Sequence, residues 1–180
     1  MSAPQPSSIR EATVDDAGKL SLVGVATFLD AYAGLVDGDG IVQHCQVKHS
    51  AQAYRDLFAA GARVWLVEIE PGAAPIGYAV TTPPDLEQAG EGDRELRRIY
   101  LLSRFHGSGI ARALLDSVIA ATAGHSRLLL GVKDDNHRAL RFYRKHGFAE
   151  IGTRRFTVGA HTYDDFVLAR DLTNETTSPS

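Results

Sequence analysis

Leu101-Leu102-Ser103-Arg104-Phe105-His106-Gly107-Ser108-Gly109-Ile110-Ala111 is the stretch that decides how this chain folds. Apolar residues run out into a polar turn with two glycines. After it, Ile110, Ala113, Leu114, Val118 and Ala121 recur at helical spacing. The segment therefore reads as strand, glycine turn, helix. The first N–H groups of such a helix have no partner inside it. Together with the helix dipole they form a site for an anion. Glycine at 107 and 109 removes side chains that would hold a phosphate away from the backbone. A strand-to-helix turn with glycine present for geometry alone also fits. Two other phosphate motifs are excluded. No Gly-x-x-x-x-Gly-Lys-Ser/Thr stretch occurs. A dinucleotide fingerprint needs a third glycine after the first strand, whereas here that position is Arg112 and the turn comes late in the chain.

Working outward, residues 96–102 are the strand that feeds the turn, and an acidic loop, 85–93, precedes it. Residues 64–69 and 76–80 are β-branched and aromatic, read as an antiparallel pair turned at Pro71-Gly72 and stopped by Pro83-Pro84. Before them come a short strand at 9–12 and a helix from Asp15 or Asp16 to Tyr32. An ambiguous segment with Gly34, Gly38 and Gly40 follows, and then a second helix over 50–60. After the turn lie a helix over 109–123, a continuous apolar run at 128–132 suited to a buried central strand, and a helix over 137–146 ended by Gly147. Residues 149–156 and 163–172 close the chain as two strands. That order gives an α/β class with a mixed sheet rather than a uniform alternation.

Composition narrows the function. A chain of 180 residues is expected to form one domain, over 8–172, with 1–7 and 173–180 as disordered tails. A net charge of −3 argues against a nucleic-acid partner, which would meet a basic face. No run of about 18 apolar residues points to a membrane span, and the first residues lack a basic segment followed by an apolar core, so a cytoplasmic location is expected. The single cysteine, Cys45, excludes an internal disulfide framework. His44, Cys45 and His49 lack the second cluster that a metal site would show; no metal is expected, and these residues read as loop.

A second cluster, Asn136 to Phe148, carries Ala139, Phe142 and Tyr143 on one helical face, with Asn136 at the entry. Asn136 fits a helix cap and Phe142 fits core. Tyr143 alone would read as core as well.

The two clusters, in this order, resemble the GNAT superfamily of N-acetyltransferases, over roughly residues 9–172 and most strongly over 95–148. The family's Gln/Arg-x-x-Gly-x-Gly/Ala signature falls on His106-Gly107-Ser108-Gly109-Ile110-Ala111, with His106 departing from Gln or Arg. A register two residues earlier, from Arg104, also fits the letters, but the first leads into the following helix as the family does. The second cluster is similar to Asn-x-x-Ala-x-x-Phe-Tyr-x-x-x-Gly-Phe at Asn136, Ala139, Phe142, Tyr143, Gly147 and Phe148. The resemblance implies a central sheet of about seven strands, splayed between the fourth and fifth and flanked by about four helices. It implies acetyl-CoA as co-substrate, held at His106, Gly107, Ser108, Gly109, Ile110 and Ala111. Asn136, Tyr143 and the backbone of Ile99, Tyr100 and Leu101 would lie along its arm. Glu95 would be the base and Tyr143 the acid. The stretches 95–101 and 163–170 also resemble bacterial spermidine/spermine N-acetyltransferases.

The chemistry this implies is attack of an amine on a thioester. Freeing the lone pair of a lysine-like amine at pH 7 costs about 4–5 kcal/mol, from its pKa of about 10.4. A positioned base supplies about 10²–10⁴-fold, the same order. The expected acceptor is a primary amine, with a small polycation such as spermidine suggested by the closeness of Asp85, Glu87, Glu91, Asp93 and Glu95. A homodimer is allowed for. Acetylation of protein lysines or N-termini, and a non-catalytic acyl-CoA sensor on the same fold, are the competing readings.

Overall fold

The computed structural model describes residues 6–158 and 160–173. The expected tails, 1–7 and 173–180, lie outside the described residues except at Pro6, Ser7 and Thr173, and Ser7 already belongs to a strand. The strands are β1 (Ser7–Glu11), β2 (Arg63–Ile69), β3 (Ala74–Thr82), β4 (Arg94–Leu101), β5 (Arg127–Lys133), β6 (Ala149–Val158) and β7 (His161–Asp171). They form one sheet in the order β1-β2-β3-β4-β5-β7-β6. Every pairing is antiparallel except β4 with β5, which is parallel. The helices are α1 (Ala17–Tyr32), α2 (Gly38–Lys48), α3 (Ala51–Ala59), α4 (Ile110–Ala121) and α5 (His137–Lys145). No described helix is long and apolar enough to cross a membrane.

Five helices stand where about four were expected. The additional one, α2, lies in the glycine-marked segment. Gly34, at φ +83°, takes the left-handed conformation that ends the preceding turn. The Asp37 carboxylate then accepts the Gly40 N–H at 2.7 Å and caps α2. The glycines therefore delimit a helix. His44 and Cys45 consequently sit on α2 and His49 at its C-terminal end, not on a loop.

Alternation along the strands builds two core layers. Val64, Leu66, Tyr78 and Val80 face α1 and α3 through Leu20, Val23 and Tyr54. Trp65, Val67, Ile76 and Ala79 face α4 through Leu114, Leu115 and Val118. Each of those three α4 residues is fully buried, contributing about 1.5–3 kcal/mol by removal from water. This burial seats α4, and so fixes the turn that begins it.

The sheet opens at its middle. β4 and β5 pair only at Arg94 with Leu128 and Glu95 with Leu129. The cause lies in β4. Val80 pairs with Arg98 and Thr81 with Leu96, so Arg97 is an extra, bulged residue. A bulge bends its strand and increases its twist. Beyond Glu95, β4 stays with β3, while β5 runs with β7 along its whole length, from Arg127 opposite Asp171 to Lys133 opposite Asp165. A V-shaped gap is left between Arg97–Leu101 and the second half of β5.

Candidate active site

The glycine turn sits at the open end of this gap. A short 3-10 turn, Ser103–Phe105, links β4 to it. Gly107 and Gly109 have φ of +80° and +87°, a region that side chains disfavour, and nothing lies within 4 Å of a β-carbon built on either. Glycine is required by the backbone conformation, and the space above it is open. The Ala113 N–H reaches the Gly109 carbonyl at 3.1 Å, the first bond of α4. The N–H groups of Gly107, Gly109, Ala111 and Arg112 have no backbone acceptor among the described residues. Ser108 steadies the turn by donating its hydroxyl to the Phe105 carbonyl at 2.6 Å. Ile110 and Ala111 rest against the core at the helix start.

His106 takes another part. Its Nε2 lies 2.8 Å from the Leu101 carbonyl, and its own N–H donates to Ser103 at 3.0 Å. Its ring braces the turn against the end of β4. The turn is also tied to α1: Ser103 donates both its N–H, at 2.8 Å, and its hydroxyl, at 3.1 Å, to Asp30.

Along the gap, Ile99, Tyr100 and Leu101 pair with Ala79, Tyr78 and Gly77 on one side and have no β5 partner on the other. Asn136 is the cap of α5, its Oδ1 accepting the Ala139 N–H at 3.1 Å. Tyr143 is buried in the last turn of α5, edge-on to Phe142 and Phe148 with ring centroids 5.4 and 5.6 Å away. Its hydroxyl has no hydrogen-bond partner among the described residues, and it is not one of the enclosed orphan atoms, so it reaches accessible space. Burial raises the Tyr143 pKa first, with the nearby Tyr100 second. Arg138, Arg141, Arg144 and Lys145 form the exposed face of α5.

The opposite side of the gap holds charge that its surroundings enclose. Glu95 is 2% exposed, not a solvated end of the acidic loop. Its carboxylate accepts the Asp85 N–H at 2.8 Å and lies 3.8 Å from Arg154 of β6. Arg154 also reaches Asp165 of β7 at 3.2 Å. The guanidinium lies over Gly131 of β5, where a β-carbon would collide with it. Burial raises the Asp165 pKa, opposed by Arg154. Tyr32 and Tyr100 stand near the Asp165 end of this bridge, and Tyr54 and Tyr78 continue the wall beside Arg98, with Tyr78 6.0 Å from the rings of both Tyr54 and Tyr100. His44 stacks on Phe28 at 4.2 Å, and His49 Nδ1 meets the Tyr54 hydroxyl at 3.0 Å. Burial, and then the Arg98 charge, lower His44 to about 4 and His49 to about 3.

Arg98, Arg154, Asp165 and the tyrosine side chains were not singled out from sequence for this face. The one available signal was Gly131, a residue without a side chain inside an otherwise apolar strand.

Residues 37–148 match the Acetyltransferase (GNAT) family. The uncharacterised N-acetyltransferases Rv2669 of Mycobacterium tuberculosis and Mb2688 of Mycobacterium bovis are each 36% identical over 159 residues, spanning 87% of this chain and 98% of theirs. Among solved structures, the PaiA N-acetyltransferase of Thermoplasma acidophilum, in complex with coenzyme A, superposes with a TM-score of 0.73 at 20% identity, covering 92% of this chain and 99% of that one. The yncA structure of Salmonella typhimurium, with acetyl-CoA, gives 0.64 at 17% identity, covering 97% and 98%. With the parallel pair parted beside a glycine turn, and with relatives at this identity over nearly their full length, the chain belongs to the GNAT family of acetyltransferases.

Proposed function

We propose that this protein transfers the acetyl group of acetyl-CoA to a small primary amine at the β4–β5 gap. Its family makes it an acetyl-CoA-dependent acyltransferase. The single observation that carries the placement is the gap itself, with unpartnered N–H groups of the glycine turn at one end and Tyr143 near Tyr100 of its β4 edge. Coenzyme A in the PaiA structure and acetyl-CoA in the yncA structure support this ligand here. Phosphates at the N–H groups of Gly107, Gly109, Ala111 and Arg112 meet the positive end of α4. The arm lies along Ile99, Tyr100 and Leu101.

In the reaction the amine nitrogen bonds to the thioester carbonyl carbon, the carbon–sulfur bond breaks, and one amine proton leaves. Tyr143, its pKa raised by burial, keeps its proton at neutral pH. An ordinary thiol has a pKa of about 8.5, so the hydroxyl stabilises the leaving thiolate by donating a hydrogen bond rather than by surrendering the proton. That help exists only once the sulfur bears charge, as selective transition-state binding requires. Glu95, enclosed and linked to Arg154, takes the amine proton in this reading, directly or through a water that enters with the acceptor.

For the acceptor, a polyamine draws support from the acidic loop. The structure divides that support. Asp93 is paired with Arg127 at 2.6 Å, Asp85 with Arg97 at 3.9 Å and Glu95 with Arg154, leaving Glu87 and Glu91 without an ion-pair partner among the described residues. The test of the function is acetyl-CoA-dependent thiol release across monoamines, spermidine, amino acids and lysine peptides. Release with none of them would overturn catalysis and leave an acyl-CoA sensor.

A further inference from the structure

Resting on the acetyl-transfer reading above, we propose that Arg98 anchors the acceptor, and that the acceptor carries an anionic group, a carboxylate or a phosphate, besides its amine.

Arg98 belongs to the β4 segment that borders the gap, next to Ile99 and two residues, about 7 Å of strand, from Tyr100. The other arginines of this face are compensated. Arg154 has Glu95 and Asp165, Arg155 has Asp164 at 3.8 Å, and Arg97 has Asp85. Arg98 has no carboxylate partner among the described residues. Its guanidinium lies over the Tyr54 ring at 5.5 Å, and its Nη1 is enclosed without a hydrogen-bond partner. The Tyr78 hydroxyl, on the neighbouring strand, is likewise enclosed and unpartnered. The groups that feel the Arg98 charge, Tyr54, Tyr78, Tyr100, His44 and His49, are all uncharged at neutral pH. The result is a partly exposed cation with no carboxylate partner among the described residues, set in a largely aromatic wall. Such a group costs free energy until an anion meets it, and a guanidinium meets a carboxylate or phosphate with two parallel hydrogen bonds. Its place on β4 beside the reacting edge sets the anion a few bonds from the amine, as in an ω-amino acid or a phosphorylated amino alcohol. A bare polycation would find this wall repulsive.

The experiment compares amines that differ only in the anion: β-alanine against β-alaninamide, and O-phosphoethanolamine against ethanolamine, with spermidine alongside. The protein is saturated with acetyl-CoA. At least one anionic member should exceed its neutral twin ten-fold or more in kcat/KM, and the stronger of the two pairs identifies carboxylate or phosphate. Arg98→Gln should collapse that ratio to within two-fold, through KM of the anionic member. Arg98→Lys, which keeps the charge, should recover part of it and guards against a misfolded glutamine variant. Calorimetric titration of the coenzyme A-loaded protein with the same pairs reads the preference without turnover. Arg98-dependent binding of the anionic member with no acetyl transfer to any amine would uphold the anchor and sink the acetyl-transfer reading. A neutral twin or spermidine leading the panel, or a preference that survives Arg98→Gln, overturns the proposal.

Discussion

Replacing Gly109 with alanine isolates one physical effect. The residue sits at φ +87° and a β-carbon there meets nothing within 4 Å, so no steric clash arises and the whole perturbation is backbone strain. A side chain in the left-handed region costs roughly 1–2 kcal/mol. That strain must appear somewhere. If the turn holds its conformation, folding bears it, and the melting temperature falls by about 2–4 °C for each kcal/mol in a chain of this size. If the free protein relaxes the turn, coenzyme A must restore it on binding, and affinity falls by about 5–30-fold, the factor that corresponds to 1–2 kcal/mol. Scanning calorimetry and isothermal titration with coenzyme A, on the same preparation, should show losses that together make up the strain. Gly109→Glu then adds charge. A carboxylate about 4 Å from a phosphate charge is worth about 4 kcal/mol of repulsion at an effective dielectric of 20, enough to remove measurable binding. Unchanged stability together with unchanged affinity in the alanine variant would refute the strain argument, and unchanged coenzyme A affinity in a folded Gly109→Glu variant would refute the placement of the phosphates at this turn.

Three further outcomes are expected. Tyr143→Phe keeps the ring contacts with Phe142 and Phe148 and should lower kcat by about 10²-fold, while coenzyme A affinity stays within a few-fold; undiminished turnover would leave Tyr143 as packing. Glu95→Gln still accepts the Asp85 N–H, so the variant should fold, yet its kcat should fall by about 10²-fold or more; undiminished turnover places the base elsewhere. At the far edge of the sheet, Arg10 bonds hold Asp16 down to about 2, below its ordinary value of about 3.9. A depressed carboxylate contributes stability above its unfolded pKa and loses it as pH falls through the folded one. Urea midpoints, read from the buried Trp65, should fall between pH 4 and pH 2, and fall less in Asp16→Asn; identical pH dependence would dismiss the pair as a stabilising contact.

The turn, the hairpin and the two helices around the gap were legible because their signals are local. Gly107 and Gly109 stand where the chain needs positive φ, and Leu114, Leu115 and Val118 recur at helical spacing. The second helix was hidden because Gly34, Gly38 and Gly40 signal breaks without saying what lies between them. The bulge at Arg97 could not be read, since it is a property of register between β3 and β4 and not of either strand alone. The enclosure of Glu95 is unreadable from sequence for the same kind of reason: the arginine beside it is 59 residues further on, brought there by the β6–β7 pairing. Distance in sequence, more than weak propensity, separates what was legible from what was not.

The two-residue contact between β4 and β5 means that this sheet is unfinished by design of its own backbone. Exposed peptide groups at a strand edge invite pairing with whatever extended chain arrives. The pantetheine arm is such a chain: it is linear and carries two amides. Seated beside Ile99, Tyr100 and Leu101, it would serve as a short eighth strand made of something other than protein. Amide exchange along Arg97–Leu101 should then slow when coenzyme A is present, and the protein should melt at a temperature that climbs with the concentration of its own substrate.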